Sequence, residues 1–167
     1  MDFKLNTKQS INNSIPQELI GYWRIGNRRY EFTNDSRYYV HDLDVPYELV
    51  DSGSVLVVAG TRYNRLYGNP AELTGIWLLE DDPTEEWNLR SDGTYTYHWP
   101  GFEYFGDYSF TESTMNTREM RAVIMESSGT IIFDPPYAPA QSGQWSISEP
   151  SLSVVFPAGT VIYTREV

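Results

Sequence analysis

The reading of this chain turns on an eight-residue phrase that it contains twice, Pro16-Gln17-Glu18-Leu19-Ile20-Gly21-Tyr22-Trp23 and Pro70-Ala71-Glu72-Leu73-Thr74-Gly75-Ile76-Trp77. Both copies spell P-x-E-L-x-G-x-W. Each opens a run of short segments rich in aromatic and β-branched residues, a composition suited to a pleated, half-buried surface. Two related units are therefore expected, repeat one over 16–68 and repeat two over 70–167. They form one body, because 167 residues suffice for one sizeable core and are short for two independent ones.

The repetition runs past the phrase. Tyr30-Glu31-Phe32 with the turn Asn34-Asp35-Ser36 and then Tyr38 parallels Trp87-Asn88-Leu89 with Ser91-Asp92-Gly93 and then Tyr95. Strand, tight turn and strand predict a hairpin in both repeats. Further on, Tyr47-Glu48-Leu49, Val55 to Val58 and Tyr63-Asn64-Arg65 parallel Trp145-Ser146-Ile147, Leu152 to Val155 and Tyr163-Thr164-Arg165, so both repeats end in Y-x-R. Residues of about 100 to 140 have no counterpart in repeat one, and a ligand is expected against residues 94–145. Outside the P-x-E-L phrases the only helical turn allowed is a short one over Thr111 to Arg118. Pro135-Pro136-Tyr137-Ala138-Pro139 reads as a stiff surface loop, since prolines cannot pair inside a sheet. Residues 1–15 are polar and without periodicity. They read as a mobile arm, either a frayed terminus or a lid that uses Phe3, Leu5 and Ile11.

Charge and composition exclude several classes of function. The net charge of −11 repels phosphate backbones and anionic membranes, so neither nucleic acid nor membrane is expected as a partner. The chain has no cysteine, and its two histidines lack ligand spacing, so no disulfide, metal site or cofactor is expected. No segment approaches the roughly 18 apolar residues of a membrane span, and the first residues lack the apolar core of a signal peptide. A cytoplasmic protein is the expectation.

Gly75-Ile76-Trp77, Asp92-Gly93-Thr94-Tyr95 and Arg165 follow one another in an order that resembles the lipocalin-like (calycin) β-barrels. Gly21-Tyr22-Trp23, Asp35-Ser36-Arg37-Tyr38 and Arg65 form a second such set, with Ser36 in place of the turn glycine. The resemblance implies an all-β fold: an antiparallel lipocalin-like β-barrel built from two related units, with little or no helix. It also implies that Trp23 and Trp77 close the barrel while Arg65 and Arg165 lie across tryptophan rings. A guanidinium laid on an indole gains about 0.5 to 2 kcal/mol of cation–π attraction. The doubling departs from an ordinary lipocalin, which carries one set over a comparable length.

Strand alternation sorts the chemistry by face. Tyr95, Tyr97 and Trp99 share the face taken as inward, and Thr94, Thr96 and His98 the outward one. Tyr104 and Tyr108 likewise turn away from Glu103 and Asp107. With Met125 and Trp145, these aromatics are the expected ligand-binding residues of a pocket that is apolar in bulk with a few directional hydroxyls. The competing reading is that they simply fill the lumen. The catalytic candidates are Glu103, Asp107, Glu119, Arg121 and His98, on solvated faces unless one enters the lumen. There, a carboxylate beside aromatics would be shifted up and able to move protons. Phosphate loops and nucleophile triads are absent. The leading expectation is the binding of a hydrophobic small molecule. One alternative is a cofactor-free cyclase or isomerase that confines a flexible polyene or polyketide-like substrate. The other, from the net charge, is an acidic immunity or inhibitor protein.

Overall fold

The computed structural model describes residues 15–167. The arm expected over 1–15 lies outside them apart from Ile15, which is buried. Fourteen strands hold 65% of the described residues, and none of these residues forms an α-helix. In chain order the strands are β1 (Gly21–Ile25), β2 (Arg28–Phe32), β3 (Arg37–Val50), β4 (Val55–Val58), β5 (Thr61–Tyr67), β6 (Gly75–Leu79) and β7 (Glu86–Leu89). They continue with β8 (Thr94–Trp99), β9 (Phe102–Phe110), β10 (Thr114–Ser127), β11 (Thr130–Asp134), β12 (Gln141–Ser148), β13 (Ser151–Phe156) and β14 (Gly159–Arg165). Each pairs antiparallel with its neighbours in sequence, and β1 pairs with β14, so the order of neighbours closes into a ring. Such a ladder needs only short turns, because consecutive antiparallel strands are joined by hairpins. Among the described residues no helix is long and apolar enough to cross a membrane.

Three local expectations are corrected. The segments 37–41 and 47–50 are one strand, β3, which runs on through Asp42 to Pro46 with Asp44 in the left-handed region (φ 52°). The stretch from Thr111 to Arg118 holds no helical turn. The Thr111 hydroxyl accepts the N–H of Thr114 (3.1 Å), and the Thr111 N–H donates to the Thr114 carbonyl (2.8 Å), which makes a tight turn. Strand β10 then pairs from Met115 opposite Phe110 to Glu119 opposite Gly106. Side-chain hydroxyls that satisfy nearby backbone groups favour turns over helix interiors. The first P-x-E-L phrase does carry a single 3₁₀ turn, Gln17–Leu19, but another, Asp51–Gly53, lies outside both phrases, where no helical turn was expected.

The chain divides into two compact units. Among the described residues, unit I comprises 15–40 and 121–167, and unit II comprises 41–120. Both divisions fall inside the long strands, so β3 and β10 each contribute one part to unit I and the other to unit II. Unit I thus joins the front of repeat one to the back of repeat two, and unit II does the reverse. Each has its own core. That of unit I is built on Trp23, Phe32, Ile124, Ile131, Leu152 and Val154, and that of unit II on Leu56, Trp77, Leu89 and Met115. Strands β3 and β10 also pair with each other. In unit I the Ile124 N–H donates to the Ser36 carbonyl (2.8 Å), and in unit II the Tyr47 N–H donates to the Ser113 carbonyl (3.0 Å).

Candidate functional site

The repeated phrase builds a buried tryptophan with an arginine laid over its ring. At Gly75 the backbone has φ +146°, and a Cβ would overlap the Tyr67 carbonyl, so only glycine fits. Two residues on, Trp77 is fully buried and its Nε1–H donates to the Leu73 carbonyl (3.0 Å). Arg65 stands opposite it on β5, with Cζ 4.0 Å from the ring centroid. The guanidinium donates to the carbonyls of Gly53 (2.8 Å), Glu72 (2.7 Å) and Thr74 (3.1 Å). Unit I repeats the arrangement. Trp23 Nε1–H donates to the Leu19 carbonyl (2.9 Å), Arg165 lies 4.1 Å over the Trp23 ring, and its Nη2 donates to the Glu18 carbonyl (2.7 Å). One difference is that Arg165 also pairs with the Glu149 carboxylate. The pairing is crosswise. Trp77 meets Arg65 and Trp23 meets Arg165, because β6 pairs with β5 and β1 with β14.

Unit II contains a cavity of about 370 Å³, bounded by Val45, Val58, Met115, Trp87, Tyr95 and Tyr97, with Asp42, Thr117 and Glu119 as its polar wall. Trp87 is opposite Trp77 in the ladder and buried. Its ring is 5.5 Å from that of Tyr63 and 6.0 Å from those of Tyr95 and Tyr97, the spacing of favourable offset and edge contacts. Among the described residues, Trp87 Nε1 has no hydrogen-bond partner. Tyr97 donates its hydroxyl to Glu85 Oε2 (2.7 Å). Burial, followed by that carboxylate, pushes the Tyr97 phenol well above its ordinary range, so it stays protonated.

Unit I contains a smaller cavity, about 290 Å³, bounded by Tyr38, Arg121, Ala122, Phe133, Phe156 and Tyr163 among others. The hydroxyls of Tyr38 and Tyr163 are hydrogen-bonded to each other at 3.0 Å.

The residues singled out in the sequence are divided between these places. Tyr95, Tyr97 and Glu119 line the unit II cavity, and Arg121 lines the unit I cavity. Trp99, 40% exposed, and Tyr104 belong to an aromatic series on the β8–β9 hairpin. Its rings follow one another at 6.1 Å (Tyr97 to Trp99), 5.2 Å (Trp99 to Phe102) and 5.6 Å (Phe102 to Tyr104). Tyr108 is buried and donates to the Arg90 carbonyl (2.5 Å). Met125 lies in unit I and is 42% exposed, since its neighbour Ile124 takes the inward face. Trp145, also in unit I, packs on that core and donates Nε1–H to Glu126 (3.0 Å). His98 and Glu103 form an exposed cross-strand pair at 3.4 Å, and Asp107 pairs with Arg118 at 3.2 Å.

Sequence reasoning missed Trp87, Met115, Tyr38 and Tyr163 as wall residues. Trp87 was legible from its alternation with Leu89, and Tyr163 from sharing a face with the arginine of its Y-x-R ending. Met115 was hidden by the helical reading of 111–118. No protein-family model matches the chain, nor does any curated protein or solved structure.

Proposed function

We propose that units I and II are each a lipocalin-like β-barrel, descended from a duplicated plan, and that the chain binds a hydrophobic small molecule inside unit II. The observation that carries this reading is the cavity of about 370 Å³ walled by Trp87, Tyr95, Tyr97, Met115, Val45 and Val58. Its volume falls in the range of small-ligand sites, about 300 to 1,000 Å³, and its composition is the usual one of an apolar wall with a few polar groups. The two G-x-W closures support the barrel reading, because a closed end leaves the ligand one mouth to enter by.

Titration with the neutral fluorophore N-phenyl-1-naphthylamine tests it. Saturable binding with a blue-shifted emission is expected, and Val58→Trp, which fills the cavity, should weaken it by about tenfold or more, roughly 1.4 kcal/mol. Unchanged affinity in that variant would remove the cavity from the account. A second reading, the cyclase or isomerase, draws on Asp42 and Glu119, carboxylates on the wall of an aromatic cavity. If Glu119 moves a proton, Glu119→Gln keeps fluorophore binding but lowers turnover of a host-derived polyene or polyketide by about 10²- to 10⁴-fold. A passive binder shows no turnover to lose.

A further inference from the structure

The unit I cavity carries a feature that the apolar reading does not use. Tyr38 and Tyr163 are 9% and 4% exposed, and both line the cavity. Their hydroxyl oxygens are 3.0 Å apart, and among the described residues neither hydroxyl has another hydrogen-bond partner. The donor count follows from the chemistry of a phenol. Each hydroxyl has one hydrogen to give, and the pair shares one bond, so one hydrogen is left without an acceptor. Burial pushes both phenols above their ordinary range, so both hydrogens are retained. A buried donor left unmet is costly, and native structures normally supply it with an acceptor.

Unit II solves the same problem internally. There the Tyr97 hydroxyl donates to the Glu85 carboxylate, so its hydrogen ends on an acceptor. Unit I has the tyrosine pair and, among the described residues, no carboxylate hydrogen-bonded to it. Around the pair stand Phe133, Phe156 and Ala122, with the Arg121 guanidinium on the same wall.

We infer that unit I holds a second binding site, selective for a small apolar molecule with a carbonyl or carboxylate oxygen, which accepts the unspent hydroxyl hydrogen of the Tyr38–Tyr163 pair. The apolar body of the ligand lies against Phe133 and Phe156. At about 290 Å³ the cavity admits a single substituted ring or a short branched chain. The site is distinct from that proposed in unit II, and its chemistry is tested separately.

Isothermal titration with three probes of one shape decides it: 4-isopropylbenzoate, 4-isopropylacetophenone and cumene, which lacks oxygen. The wild-type protein should bind at least one oxygen-bearing probe about tenfold or more tighter than cumene, the worth of a buried hydrogen bond. A preference for the benzoate alone identifies an anionic ligand, and equal binding of benzoate and ketone a neutral carbonyl. Because either hydroxyl can serve as the terminal donor, Tyr38→Phe and Tyr163→Phe should each keep part of the preference. The double variant should lose it while still binding cumene.

Should the double variant fail to fold, the wild-type protein supplies the readout. With ¹³Cζ-labelled tyrosine, the resonance of Tyr38 or Tyr163 should move with an oxygen-bearing probe and stay with cumene. Equal affinity for all three probes, or a preference that survives the double substitution, overturns the inference and leaves the unit II reading intact. Binding of N-phenyl-1-naphthylamine unaffected by Val58→Trp would undermine the unit II reading and leave this one standing.

Discussion

At the scale of single residues, the most informative groups are those whose partners are fixed. The Arg65 fork reaches three main-chain carbonyls and an indole face at once, a combination that a lysine ammonium cannot reproduce. Burial lowers its pKa, yet a guanidinium so far above neutrality stays charged. Glu166 provides a measurable counterpart. Its carboxylate is hydrogen-bonded by Arg29 and by Arg24, and the Arg29 bond is the main reason its pKa lies below the ordinary 4.5. A depressed folded pKa means that the stabilisation is complete above the unfolded value and is lost as pH falls through the folded one. The wild-type urea midpoint should therefore drop on acidification below about pH 4.5 more steeply than that of Glu166→Gln. The difference should be no more than about 1 kcal/mol, as the pair is partly exposed. Parallel curves for the two proteins would show that Arg29 contributes nothing through this carboxylate.

At the scale of elements, the hairpin β9–β10 rules the unit II cavity, because it brings Met115, Thr117 and Glu119 to the wall. Gly106 lies opposite Glu119 in that ladder, and a Cβ there would overlap the Arg118 carbonyl. The obstacle is main chain, which cannot rotate aside. Gly106→Ala should cost about 1–3 kcal/mol, the range of overpacking in a well-packed site. It should also raise hydrogen exchange at Thr117 to Glu119. Wild-type protection in the variant would mean that the ladder can open there at little cost. The aromatic alternation of Thr94 to Trp99 was legible in the sequence, since period two is strong when every second residue is aromatic. The strand character of 111–118 was not. Thr, Ser and Asn serve turns, strands and helix starts alike, and only the pairing with Gly106 to Phe110 selects among them.

At the scale of the whole molecule, two cores share two continuous strands. Neither β3 nor β10 can leave its ladder in one unit without a free end appearing in the other, because both strands pass from one set of residues to the other. Thermal unfolding should therefore be one transition, with calorimetric and van't Hoff enthalpies equal. Leu152→Ala in the core of unit I and Leu56→Ala in that of unit II should each lower the same midpoint, by about 2–5 kcal/mol in stability. Two separated transitions, each sensitive to only one substitution, would show instead that the units melt independently.

Alternation, turn residues and the two G-x-W phrases, all local signals, were enough to determine an all-β chain with a tryptophan buried at each phrase. Local patterns report which residues share a face, and they are blind to which strand lies alongside. That choice belongs to long-range pairing, where β1 takes β14, β5 takes β6, and β3 meets β10. The tertiary structure alone therefore decided that Trp77 is covered by Arg65 and Trp23 by Arg165, and that the candidate aromatics fall into two units. It also decided that Tyr38 meets Tyr163 across 125 residues of chain. The physical reason is the same throughout: a buried hydroxyl, guanidinium or indole takes whatever partner the ladder brings within reach, and the order of the ladder is a property of the whole chain.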